Sequence, residues 1–285
     1  MPIKLARKTP AQGSAATHES SSAADPSMSE RGRSFDSFME RAAKAFRASD
    51  DSAANAALTE AEAVLPEPIP SEMPWPARVM NLNRARAGLA QKQGRHADAV
   101  VAFEAALAVL PSDAAGERDA LAARLQLYVR LASSRLSLGQ AVQVETEMAQ
   151  SEQIIATLTG SIPSNALETI HAAVLGNLAR SALLLGRLEE AESRFSAGVA
   201  LVDSIGGAEL SGVRKQLVEG WASALRQSGK STEAEALQSG SLPLSHAALC
   251  GCGHGDAKHH HHAHGDDHST ADHNHHEHCG CGHAH

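Results

Sequence analysis

The sequence predicts an all-α fold built from about five consecutive helix pairs, on three observations. Apolar residues recur at helical spacing from Ser34 to about Gln238. The composition is 42% hydrophobic but only 3% aromatic and rich in alanine, which suits helices packed at close range and suits a sheet poorly. Four glycines, Gly94, Gly139, Gly186 and Gly229, punctuate the pattern at intervals of 45, 47 and 43 residues. Each marks the turn between two helices.

Residues 1–33 are Ser/Ala-rich and show no helical stripe. Lys4, Arg7 and Lys8 suggest a targeting peptide, but Glu19, Asp25 and Glu30 argue for a disordered leader, because transit peptides are poor in acids. The repeat region is expected over 34–240. Phe35, Phe38, Ala42, Ala45 and Phe46 share one face of the first helix. The Asp50-Asp51-Ser52 corner ends it and caps a second helix carrying Ala54, Ala57, Leu58, Ala61 and Leu65. Pro66, Pro68, Pro70, Pro74 and Pro76 then break the pattern. A long helix is predicted from Trp75 to Gln93, a turn at Gly94, and a further helix to Pro111.

The second pair is the diagnostic one. After Gly94-Arg95-His96 comes Ala99-x3-Phe103-x2-Ala106-Leu107, closed by Pro111. Ala99 and Ala106 permit close helix approach, Phe103 fills the space between pairs, and Pro111 cannot continue a helix. The unit returns after Gly186 as Ala191-x3-Phe195-x2-Gly198-Val199, preceded by Leu175, Leu178, Ala179 and Ala182. It is partial at Gly229, with Val218, Trp221, Ala222 and Leu225 before and Ala234 after. It is weaker at Gly139, with Leu125, Tyr128, Ala132 and Leu136 before and Val144 and Met148 after. This pattern resembles the tetratricopeptide repeat (TPR), in a long-helix form, since the usual unit is ~34 residues. The resemblance implies a TPR-like helical-hairpin solenoid whose groove is lined by the first helix of each pair. It also implies a protein client or chaperone as partner. Arg84, Arg130, Arg180 and Arg226 fall in first helices and are the candidate partner-binding residues. Chaperone-binding members clamp a carboxyl terminus with Lys, Arg and Asn, but Gly88 and Ala173 stand where such a clamp needs polar side chains, so that role is not carried over.

Other functions find little support. A formal net charge of −8 argues against a nucleic-acid binder. No apolar run approaches the ~18 residues of a membrane span and no signal-peptide core is visible, so a cytoplasmic location is expected. No nucleophile–base set, phosphate loop or paired-carboxylate site stands out, and the chain reads as a non-enzyme. His96 at a turn and His171 near a helix start read as surface residues.

Residues 241–285 are of another kind. All four cysteines lie here, Cys250 paired with Cys252 and Cys279 paired with Cys281, each pair continued by Gly and His (His254 and His283). Between them stand His259, His260, His261, His262, His264, His268, His273, His275, His276 and His278, and His285 follows. No Leu, Ile, Val, Phe or Met follows Leu249, so the segment cannot build a core. A run of four histidines bracketed by two copies of CGCGH is unlike an expression tag. In a reducing compartment paired cysteines read as metal ligands before disulfides. Thiolates suit zinc or copper(I), and imidazoles suit nickel or zinc. Zinc is the first expectation, then nickel and copper. By composition the segment resembles the histidine-rich tails of nickel storage and delivery proteins, and its ends resemble metallothionein. Two functions follow: a metal-handling adaptor, with metallochaperone-like storage or delivery by the tail and a client on the solenoid, or a general interaction scaffold whose tail holds one structural zinc or buffers metal passively.

Acid should release metal from this segment in two stages. Imidazole ligates only when neutral and its ordinary pKa is ~6.5, whereas a metal-bound thiolate resists protonation further into acid. The histidine cluster should empty somewhat below pH ~6.5, while the site made by Cys250, Cys252, Cys279 and Cys281 should hold its ion to lower pH. Elemental analysis after a pH series checks this. Replacing the four cysteines with Ser should abolish the acid-resistant fraction alone, and a single release pH common to both proteins would contradict two classes of site.

Overall fold

The computed structural model describes residues 27–71, 74–110 and 118–241. Among these residues there are ten α-helices and no strand: α1 (Met28–Arg47), α2 (Asp51–Ala63), α3 (Trp75–Lys92), α4 (His96–Ala108), α5 (Arg118–Ser137), α6 (Ala141–Leu158), α7 (Ser164–Leu184), α8 (Leu188–Ile205), α9 (Ser211–Gln227) and α10 (Ser231–Gln238). They form five antiparallel pairs, each helix packed on the next in sequence, with the first helices α5, α7 and α9 also packed on one another. This is the all-α TPR-like solenoid that the glycine spacing predicts. Pro111 and the tail candidates lie outside the described residues.

Helix α1 begins at Met28, six residues ahead of the start read from the apolar period at Ser34. Its first turn carries few apolar residues, so no stripe marks it. A capping box does: Glu30 N–H donates to Ser27 Oγ at 3.3 Å, and Ser27 N–H donates to the Glu30 carboxylate at 2.9 Å.

The turn between the helices of a pair is the same motif five times. Gly94, Gly139, Gly186 and Gly229 take φ of 70° to 79°, and Ser49 takes the equivalent place at φ 56°. The N–H of each turn residue reaches the carbonyl three residues back. The next N–H reaches five back, at 2.8 to 3.0 Å, from Asp50, Arg95, Gln140, Arg187 and Lys230. This Schellman closure satisfies carbonyls that the helix end leaves open, and a left-handed residue is its requirement. At Ser49 the sequence has no glycine, so the first turn is silent in the glycine spacing.

Counting from these turns puts the core in register. The fifth residue is Ala54, Ala99, Val144, Ala191 or Ala234, and all are fully buried. The ninth is Leu58, Phe103, Met148 or Phe195 in the first four pairs, again fully buried. The unit at Gly139 is therefore complete in space, with Met148 filling the position of the phenylalanines. Core clusters follow the stacking. One joins α1, α2 and α3, the next α3, α4 and α5, then α5, α6 and α7, then α7, α8 and α9, and a last small one joins α9 and α10. Each pair thus borrows the first helix of its neighbour to close its core, as a solenoid must.

One core polar group is out of balance. Glu147 on α6 is 7% exposed. One of its carboxylate oxygens lies 3.0 Å from Arg135 Nη1 in an ion pair, while Arg135 Nη2 reaches Glu104 at 2.5 Å. The second Glu147 oxygen and Arg135 Nε have no hydrogen-bond partner. Burial pushes the Glu147 carboxyl up to about 7, against the pull of Arg135 and with a further push from Glu104. A carboxyl whose folded value exceeds its unfolded one favours the fold in its protonated form. That contribution is complete below the ordinary glutamate value and is lost as pH rises through about 7. Stability measured by urea unfolding should fall between pH 5 and pH 8. Glu147→Gln should flatten that fall and be more stable than the parent at pH 8 by on the order of 2 kcal/mol. Equal slopes in both proteins would contradict this assignment.

Candidate docking groove

The first helices line a groove of two cavities that share Arg130. The larger, about 590 Å³, lies among α1, α3 and α5. The smaller, about 220 Å³, lies among α3, α5, α7 and α9. The larger falls in the size range of built binding pockets. Residues of the second helices α2, α4, α6, α8 and α10 line neither cavity. Counted back from the turn, the lining residues sit at common helical positions. Asp36, Asn81, Ala173 and Gln216 stand thirteen before it, Met39, Arg84, Val129 and Gly176 ten before, and Ala43, Gly88, Ser133 and Arg180 six before. Spacings of three and four residues put these on one helix face.

Three of the four candidate arginines lie in this groove. Arg84 lines the larger cavity, Arg180 the smaller, and Arg130 both. Arg226 stands three residues before its turn, lines neither cavity, and donates to Gln238 of α10. Gly88 and Ala173, the positions that set this groove apart from a carboxylate clamp, line the larger and smaller cavity respectively. A Cβ on Gly88 would come within 3.3 Å of Arg130 Nη2, so the glycine leaves the guanidinium its space.

Arg130 is held in place by neighbours that the sequence pattern did not single out. Its guanidinium carbon lies 5.6 Å from the Phe103 ring centroid, a cation–π distance. Gln91 of α3 donates to the Arg130 carbonyl at 3.1 Å and to Ser134 Oγ at 2.8 Å. From the other side Asn177 of α7, 4% exposed, donates to the Val129 carbonyl at 3.0 Å. Two amides on adjacent first helices therefore pin α5 where Arg130 projects. Their signal in the sequence is only that of polar residues on a helix face meant for packing.

The electrostatics of the groove are one-sided. Burial, and then the charge of Arg84, hold Arg130 below the ordinary guanidinium range, and burial does the same for Arg180. Both remain cations at any physiological pH. The other charges of the larger cavity are neutralised. Arg78 donates to both oxygens of Asp36, at 3.0 and 2.7 Å, and holds that carboxyl below its usual value. Lys92 donates to Asp51 at 2.6 Å.

The metal-ligand candidates fall outside this description. Cys250, Cys252, Cys279 and Cys281, with the histidines from His254 to His285, lie outside the described residues, so no geometry attaches to them. Among the described residues no group of three or more His, Cys, Asp or Glu is placed to hold an ion. His96 opens α4 half-buried, and His171 on α7 lines a separate cavity of about 370 Å³ with Glu168. No described helix is long and apolar enough to cross a membrane.

No family model and no curated protein matches the chain. Among solved structures it is similar to nearly identical TPR-like repeats from Podosopora anserina, a chain described as a putative kinesin light chain. Identity is 20%, the TM-score is 0.53, and the match covers 76% of this chain and 97% of the other. A likeness at that identity speaks for architecture alone, and with the repeated turns and the register it places this chain among the TPR-like helical-hairpin solenoids in fold.

Proposed function

We propose that the chain is a binding adaptor with no catalytic role, docking a protein partner in the groove of its first helices and taking up zinc, nickel or copper with its tail. The groove carries the docking reading. It holds two cavities that meet at Arg130, lined by the first helices, and its guanidinium groups at Arg84, Arg130 and Arg180 have no carboxylate partner among the described residues. Helices hold the backbone of such a face in place before a partner arrives, which leaves only side chains to be ordered. The metal reading rests on the tail sequence, on the two C-x-C pairs (Cys250 with Cys252, Cys279 with Cys281) and the imidazoles between them.

A photo-crosslinking residue tests the docking reading. Placed at Ser133 in the groove, it should join the partner in living cells and give adducts of discrete mass. Placed at Val101, which is 66% exposed on α4 and lines neither cavity, it should give none of them. Identical adducts from both positions, or none from Ser133, would contradict a groove-docking scaffold.

A further inference from the structure

Several arginines among the described residues have a carboxylate within salt-bridge distance: Arg41 with Glu60, Arg78 with Asp36, Arg86 with Glu62, Arg135 with Glu104 and Glu147, Arg187 with Glu145, Arg214 with Asp203. The three groove arginines do not. Arg84 and Arg180 have no hydrogen bond or ion pair among the described residues, and Arg130 has only the Gln91 amide oxygen, at 3.5 Å. No acid lines the smaller cavity, and the one acid of the larger, Asp36, is taken by Arg78. This happens in a chain whose 33 acids outnumber its 25 Lys and Arg. Guanidinium groups crowded together without counter-charge are costly where they stand, and a carboxylate that can take two parallel N–H donors offsets that cost. Beside them the larger cavity has an apolar wall, with Met39 and Phe46 half-buried on α1.

We infer that the occupant of the groove is an acidic, extended segment of a partner protein, whose carboxylates pair with Arg84, Arg130 and Arg180 and whose neighbouring apolar side chain seats against Met39 and Phe46. This rests on the reading that the groove docks a protein. At Ala173 the floor of the smaller cavity carries only a methyl group. A nucleic acid is the poorer fit, because phosphate tracking needs many cations on an open face and gains nothing from an apolar pocket.

The test is selection of a degenerate twelve-residue peptide library on the immobilised full chain. Enriched peptides should carry Asp or Glu next to a Leu, Phe or Trp. Their binding should weaken as salt rises, and it should fall by about tenfold or more in Arg84→Gln and in Arg130→Gln. Arg226→Gln, outside both cavities, should bind within about twofold of the parent. Circular dichroism checks each variant's fold, and Arg84, which makes no hydrogen bond among the described residues, carries the test if Arg130→Gln loses helix. Enriched peptides without acids, whose binding Ser133→Arg still abolishes, would overturn this inference and leave groove docking standing. No enrichment, or enrichment indifferent to every groove variant, would overturn both. An oligothymidylate that binds more tightly than any selected peptide would assign the arginines to phosphate and overturn the inference as well.

Discussion

The structure depends on one steric constraint, the fit of a large side chain from each of the first four second helices against the first helix of the next pair. Phe195 of α8 shows it most clearly. A Cβ built on Gly220 of α9 would lie 2.4 Å from Phe195 Cζ and 2.5 Å from Cε1, so the ring occupies the space a side chain would need. From the first-helix side, Leu217 of α9 fills the space at Gly176 of α7 and Gly198 of α8, at 2.8 and 3.2 Å from the built Cβ. Interiors at this density gain dispersion from every atom in contact and tolerate added volume poorly. Nearest-neighbour cores of this kind set the spacing of the pairs. Because the large residue of the first four pairs stands nine after the turn, the turn sets which residue faces the next pair.

That dependence explains what the sequence made legible and what it hid. Gly94 and Gly186 announce their pairs because the turn is a glycine and the filler is a phenylalanine. Gly139 announces its pair faintly, because Val144, Met148 and Ser151 fill the same three positions with less distinctive chemistry, all of them buried. The first pair hides its turn altogether, since Ser49 adopts the left-handed conformation without being glycine. The last pair ends early: Gln238 stands nine after Gly229, is exposed, and accepts from Arg226 where another pair would bury a large apolar residue. Helix α1 extends further back than its apolar stripe because a capping box starts it.

The groove was legible in a similar, partial way. Placing arginines on first helices needs only helix boundaries, so Arg84, Arg130 and Arg180 could be named from the sequence. Separating Arg226 from them needs the structure: Phe46 and Gln91, at the same distance before their own turns, line the cavities, whereas Arg226 in the last pair reaches Gln238 of α10 and lines neither. The clasp of Gln91 and Asn177 on α5 joins residues 39 and 48 positions apart to one helix, and no local pattern encodes it. Nor does the sequence around Glu147 predict a carboxyl raised by burial, because its burial is made by three helices at once. The tail is the reverse case: the chemistry of Cys250, Cys252, Cys279, Cys281 and their histidines is written in composition, and its geometry lies outside the described residues.

Two glycines of α9 test the stacking constraint against ordinary helix propensity. In the interior of a helix Gly→Ala should stabilise by roughly 0.5–1 kcal/mol when there is room for the methyl group. Gly212 has nothing within 4 Å of a built Cβ, whereas Gly220 meets Phe195. Urea unfolding of the two variants is the most direct measurement. Gly212→Ala should be neutral or slightly more stable than the parent, and Gly220→Ala should lose about 1–3 kcal/mol by overpacking. If Gly220→Ala is as stable as Gly212→Ala, the aromatic-against-backbone contact does not set the stacking of these pairs.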